Sequence, residues 1–123
     1  MATLTDIDGK APSGTALLRV FRNSCSLNRQ AMRLLGLQDK GNVRFRTPRG
    51  NGNRRVYVSS TQQAGGYGIH RRGGIGIVNS RSLAATLAMT LQGTGTYRIC
   101  EEDTVTDDMD GTTCYAIFFR KYE

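Results

Sequence analysis

One stretch of the chain, residues 17–46, decides the fold, and it reads LLRVFRNSCSLN, RQAMRLLGL and QDKGNVRFR in succession. Asn28 precedes apolar residues at Ala31, Leu34 and Leu35, which is the spacing of one helical face begun by an asparagine N-cap. The closing NVRFR alternates apolar and basic residues with the period of a half-buried strand. The stretch therefore predicts a strand, a short helix and a second strand.

The same order of parts returns later in the chain. Residues 68–79 read GIHRRGGIGIVN, with glycines that indicate a bulge or a close backbone approach in a strand. Asn79 or Ser80 then caps a second helical pattern. The apolar face of that helix consists of Leu83, Leu87 and Leu91. Each copy closes with a strand of β-branched or aromatic residues, over 54–59 and over 114–120.

We expect an α+β fold in which two strand–helix–β-hairpin repeats form one pseudo-symmetric compact domain. Neither repeat is large enough to bury both its sheet and its short helix, so the two should share one core. The expected boundaries are a flexible N-terminal segment over 1–16, a first repeat over 17–60, a linker over 61–67, and a second repeat over 68–123 with an acidic loop at 101–111. The expected core comprises Leu27, Leu34, Leu35, Val43, Phe45, Ile77, Leu83, Leu87, Ile99, Ile117 and Phe119.

Charge is distributed unevenly along the chain. The 123 residues carry 17 lysines and arginines against 10 aspartates and glutamates, for a net charge of +7, and 14 of the basic residues are arginines. Residues 61–100 hold four arginines and no acidic residue, whereas residues 101–123 hold seven acidic residues. We interpret the acidic segment as a solvated loop, with a solubility device, an internal counter-charge and a guard over the basic surface as the alternatives.

The basic excess indicates a polyanionic partner, and arginine is the side chain that pairs bidentately with a phosphate or a guanine edge. The predicted hairpin over 43–58 should make most of the contacts to phosphate, because its turn GNGN lets backbone amides approach a phosphate. Tyr57, Tyr67 and Tyr97 would add stacking platforms where they are exposed. The candidate nucleic-acid-binding residues are Arg22, Arg29, Arg33, Arg44, Arg46, Arg49, Arg54, Arg55, Arg71, Arg72 and Arg98.

Several other classes of protein do not fit the sequence. No run of apolar residues is long enough to cross a membrane, and the first residues lack the build of a signal peptide, so we expect a cytoplasmic protein without membrane contact. One histidine and three widely spaced cysteines indicate no metal site, no disulfide framework and no cofactor. Without a nucleotide-binding loop or a Ser/His/Asp set, we expect no enzymatic activity.

Residues 24–45, which read SCSLNRQAMRLLGLQDKGNVRF, resemble the AbrB-type looped-hinge, swapped-hairpin DNA-binding domain. Such domains dimerise by interleaving their hairpins, so the resemblance implies that two copies in this chain form a single-chain pseudo-dimer. Of the family's paired helix arginines, Arg33 is the one matched here, and the resemblance implies that it contacts DNA.

The sequence therefore predicts a small, basic, non-enzymatic DNA-binding protein, with transcription regulation as an extension of that role. A binder of single-stranded nucleic acid is the first alternative, since duplex and single strand present the same phosphates. A protein-interaction or structural module of phage or mobile-element origin is the second, with the basic surface docking an acidic partner. Assembly into a homo-oligomer is compatible with each of these functions.

Overall fold

The computed structural model of the chain describes residues 14–37, 41–48, 55–61 and 66–122. Most of the predicted N-terminal segment, together with Arg49 and Arg54, lies outside these residues. The elements are β1 (Leu17–Val20), β2 (Cys25–Leu27), α1 (Arg29–Leu34), β3 (Asn42–Arg46), β4 (Val56–Thr61), β5 (Tyr67–Gly68), β6 (His70–Arg72), β7 (Ile75–Val78), α2 (Arg81–Thr90), β8 (Gly95–Thr106) and β9 (Thr113–Tyr122).

The strands form one antiparallel sheet that curls into a nearly closed barrel. Its order is β5-β3-β4-β9-β8-β1-β2-β7-β6. The two ends of that order, β5 and β6, are separated in sequence by Ile69 alone, whose amide donates to Gly41 O at 3.2 Å. Strands hold 51% of the described residues and helices only 17%, so the prediction of an α+β fold is wrong and the protein is predominantly β.

The acidic segment at 101–111 explains part of the difference between the predicted and the observed strand content. β8 continues through residues 101–106 and pairs with the start of β9, so these residues form a strand where a loop was predicted. The chain turns at 107–112, where the Asp107 amide donates to Thr112 O at 2.9 Å. A polar strand without an apolar face lacks the alternation by which strands are recognised in sequence. The prediction of a loop therefore holds only for the turn.

Each strand of the first half pairs with a strand of the second half: β1 with β8, β2 with β7, β3 with β5, and β4 with β9. In the β2–β7 pair, Ser26 lies opposite Ile77. These two positions precede Asn28 and Asn79 by the same distance, so equivalent positions of the two halves face each other. Among the described strands, four of the eight ladder pairs therefore join the two halves.

The core fills the inside of the curled sheet, where both helices pack. Tyr97, Leu18 and Leu27 are fully buried there, and α1 contributes Met32. Of the predicted core residues, Leu34 and Phe45 are partly buried, and Ile77 is half-buried. The predicted core residues that are buried are Leu27, Leu35, Val43, Leu83, Leu87, Ile99 and Ile117.

Phe119 is 44% exposed, so its assignment to the core is wrong. It lies on β9 beyond Ile117, which pairs with Val56 at the last described position of the β4–β9 ladder. An apolar run such as AIFF does not show where along a strand its cover ends. The residues around Phe119 in the sequence therefore do not indicate that its side chain is exposed.

The predicted helix starts are confirmed. Asn28 Oδ1 accepts from the Ala31 amide at 2.9 Å, and its Nδ2 donates to Thr15 O at 2.7 Å. Ser80, rather than Asn79, caps α2 through a bond from the Leu83 amide at 3.2 Å. Gly76 on β7 confirms the predicted close approach, because a Cβ there would lie 2.5 Å from Met32 Sδ.

Candidate nucleic-acid interface

The predicted hairpin is present as β3 and β4, and its arginines lie outside the barrel. Val43 is fully buried, so the alternation of β3 turns Arg44 and Arg46 outward. Arg44 lies opposite Ser59, and Arg46 lies opposite Tyr57. Both arginines are only half-buried, which is compatible with contact to a partner.

Acidic side chains from the β8–β9 hairpin meet several of these arginines. Arg46 forms an ion pair with Asp107 and also donates to Cys114 Sγ at 2.9 Å. Arg55 lies 3.6 Å from Asp103. The hydrogen bond from Arg46 lowers the pKa of Asp107, so that carboxylate stays charged. The acidic segment therefore acts as an internal counter-charge, and its interpretation as a solvated loop is corrected.

Arg98 has a counter-charge from the same segment. It forms an ion pair with Glu102, four residues further along β8. Exposed pairs of this kind contribute little stability, but they place a carboxylate where a phosphate would otherwise bind. An external polyanion would therefore have to displace a carboxylate to bind Arg46, Arg55 or Arg98.

A small apolar cluster lies under the same hairpin, outside the barrel core. It consists of Tyr57, Cys100, Cys114 and Ala116, all of them buried. Tyr57 therefore offers no stacking surface, and neither does Tyr97, which is fully buried. Tyr67 is 39% exposed and is the member of the predicted set that remains available.

A second group of arginines has no such counter-charge among the described residues. Every aspartate and glutamate that the structure describes lies within residues 101–110. Among the described residues, none of these carboxylates forms an ion pair with the exposed arginines of β1, the β1–β2 turn and α1, or with Arg72 of β6. We call these the unpaired arginines: Arg19, Arg22, Arg29, Arg33 and Arg72.

Helix α1 and strand β6 bring predicted site residues together. Arg29, Arg33 and Arg71 line one recess of 260 Å³. Arg29 Nη2 donates to Gly73 O at 3.3 Å, which holds the guanidinium at the β6–β7 turn. Gly74 leaves room for it, because a Cβ at that position would lie 2.8 Å from Arg29 Nε. Arginines about 40 residues apart in sequence thus share one surface.

The outer face of the sheet carries a further arginine that the sequence prediction missed. Arg19 is exposed between the buried Leu18 and Val20, and it lies opposite Thr96 on β8 and Ser26 on β2. The alternation in LLRV, with Arg19 between two apolar residues, is the signal in the sequence that indicates this outward position. Arg72 points to the face opposite Arg71, because neighbouring strand residues alternate.

The cysteines are small buried apolar residues. Cys25, Cys100 and Cys114 are all buried and free. Burial raises the pKa of Cys25 to about 12, so its thiol stays protonated. Among the described residues there is no group of three or more His, Cys, Asp or Glu side chains that could hold a metal ion.

Comparison with protein-family models, with curated proteins and with solved structures gave no match. The resemblance of residues 24–45 to AbrB-type domains therefore stays a prediction. Neither α1 nor α2 is long and apolar enough to span a membrane, and these are the helices of the described part of the chain.

Proposed function

We propose that this protein is a non-enzymatic nucleic-acid-binding protein that holds the phosphate backbone with arginines that form no ion pair with a described carboxylate. The observation that carries the proposal is the segregation of charge: all described carboxylates lie within 101–110, and the unpaired arginines lie on β1, α1 and β6. Arginines without a carboxylate partner leave a local positive potential, which attracts a polyanion.

The arrangement of α1 and β6 supports phosphate as the group recognised. Guanidinium groups form bidentate pairs with phosphate, and Arg29 and Arg33 stand one turn apart on the same helix beside Arg71. This recess supplies several contacts to one stretch of backbone. The resemblance of residues 24–45 to AbrB-type domains, which includes Arg33, favours DNA as the partner and transcription regulation as the biological role.

The β3–β4 hairpin is then not the main phosphate-binding surface. Arg46 and Arg55 are next to Asp107 and Asp103, and a phosphate would have to displace those carboxylates to reach them. Arg44 is close enough to Asp107 to lower its pKa. We place the binding in the cytoplasm, since three buried free cysteines suit a reducing compartment.

Two triple variants test this assignment, R29Q/R33Q/R72Q and the matched control R44Q/R46Q/R55Q. Binding of labelled duplex and single-stranded DNA is measured by anisotropy over a range of salt concentrations. For duplex DNA, the plot of log affinity against log salt has a negative slope. Its magnitude should decrease by about two to three units in the first variant, because each lost phosphate contact removes about 0.9. The control should lose less than about one unit.

An equal loss of slope in the two variants would return the site to the hairpin. A wild-type protein that binds neither DNA at low salt would overturn the proposed function. Far-ultraviolet circular dichroism of each variant establishes that it keeps the wild-type fold. All six arginines are replaced by glutamine, so the change in charge is the same in both proteins.

A further inference from the structure

A recess at one end of β1 combines an exposed aromatic ring with cations. Its lining includes Arg19, Phe21, Arg22 and Gly95, and its volume is 390 Å³. That volume lies within the range of sites that hold small ligands or parts of them. We call it the Phe21 recess, and all the residues that form it belong to the described part of the chain.

Phe21 belongs to a tight turn, and its side chain is 47% exposed. Its amide donates to Ser24 O at 2.8 Å, so the ring is carried by a closed backbone turn between β1 and β2. An exposed aromatic face can stack on a flat partner. The recess therefore offers an aromatic stacking surface.

Three cations lie in this recess or next to its lining. Arg19 and Arg22 flank it in sequence and are both exposed. Lys121 on β9 lies against Gly95, where a Cβ would be 2.9 Å from Lys121 Cδ, and its Nζ donates to Thr94 O at 3.4 Å. No described carboxylate forms an ion pair with any of the three. The charge of the recess thus complements a phosphate backbone.

We propose that the Phe21 recess takes one unstacked base of a single-stranded nucleic acid, with the adjoining phosphates on Arg19, Arg22 and Lys121. The inference rests on the proposed function and assigns its substrate class. Bases inside a duplex are stacked on each other and present no free face, whereas every base of a single strand does. An acidic peptide would satisfy the cations but leave the ring without a partner.

The first experiment uses the absence of tryptophan from the chain. Phe21→Trp introduces one fluorophore into the recess, and Phe118→Trp is the matched control, because Phe118 is also 47% exposed but lies on β9. Addition of oligo(dT) should quench the emission of Phe21→Trp strongly and that of the control weakly, since stacking on a base quenches indole emission. Oligo(rU) added in parallel distinguishes RNA from DNA as the source of the strand.

The second experiment measures affinity. Phe21→Ala should weaken oligo(dT) binding about 5- to 150-fold, which corresponds to the loss of one stacked base, and should leave the salt slope unchanged because no charge is removed. R19Q/R22Q should instead lower that slope by about 1.4 units. Duplex affinity should be the same in Phe21→Ala and in the wild type.

The outcomes separate this inference from the proposed function. If the wild type binds with a steep salt slope and Phe21→Ala changes neither that slope nor the affinity, the role of the recess is overturned and the proposed function stands. Equal weakening of duplex and single strand by Phe21→Ala, an equal loss from Phe118→Ala, or quenching of Phe21→Trp by polyglutamate would also overturn the role of the recess. Absence of any wild-type binding would overturn both, and thermal melting of each variant establishes that it is folded.

Discussion

At the scale of single residues, Tyr97 shows how one polar group in the core is satisfied. It is the largest fully buried side chain, and burial raises the pKa of its hydroxyl. That hydroxyl donates to Gly93 O at 2.6 Å and accepts from the Gln92 amide at 2.7 Å. The two bonds close the turn between α2 and β8, which lies next to the Phe21 recess.

Tyr97→Phe should therefore lower the free energy of unfolding by about 1–2 kcal/mol, because two backbone groups lose their partner while the ring still fills its site. Urea denaturation measures the change. Ser59→Ala is the control, since the buried Ser59 hydroxyl has no partner among the described residues and its removal should be neutral or slightly stabilising. A larger loss from Ser59→Ala than from Tyr97→Phe would contradict this account.

At the scale of elements, the β8–β9 hairpin is tied to β3 by a titratable contact. The pKa of Asp107 is lowered by its hydrogen bond from Arg46, and further by the bond from the Met109 amide. A carboxyl whose pKa is lower in the folded state stabilises the protein above its unfolded pKa. That stabilisation is lost as the pH falls through the lower, folded value.

Asp107→Asn should thus reduce the midpoint of urea unfolding at neutral pH, and the difference from wild type should shrink as the solution is acidified below the ordinary aspartate pKa. Asp108→Asn is the matched control, because Asp108 lies in the same turn and forms no ion pair with a described arginine. A difference between Asp107→Asn and wild type that persists unchanged at acidic pH would show that the ion pair is not its cause.

At the scale of the whole molecule, strand pairing between the two halves makes them depend on each other. All four described strands of the first half take a ladder partner from the second half. A fragment that ends at Ser60 would expose these ladder edges and the apolar face that they cover.

The fragment 17–60 should consequently show no cooperative thermal transition when expressed alone. Mixed with the fragment 61–123, it should recover a cooperative transition and the circular dichroism of the intact chain. Calorimetry of each fragment and of their mixture measures this. A cooperative transition of 17–60 alone would show that the first half has a core of its own.

The sequence by itself determined the local elements of this protein, because caps and alternation act between residues close in the chain. Asn28 and Ser80 begin the helices, and Val43 and Phe45 define the inner face of β3 as predicted from their spacing. Only the tertiary structure decided how the sheet curls and which arginines form an ion pair with a carboxylate. Arg46 meets a carboxylate 61 residues away, whereas Arg19 meets none among the described residues, and such long-range pairing depends on strand order.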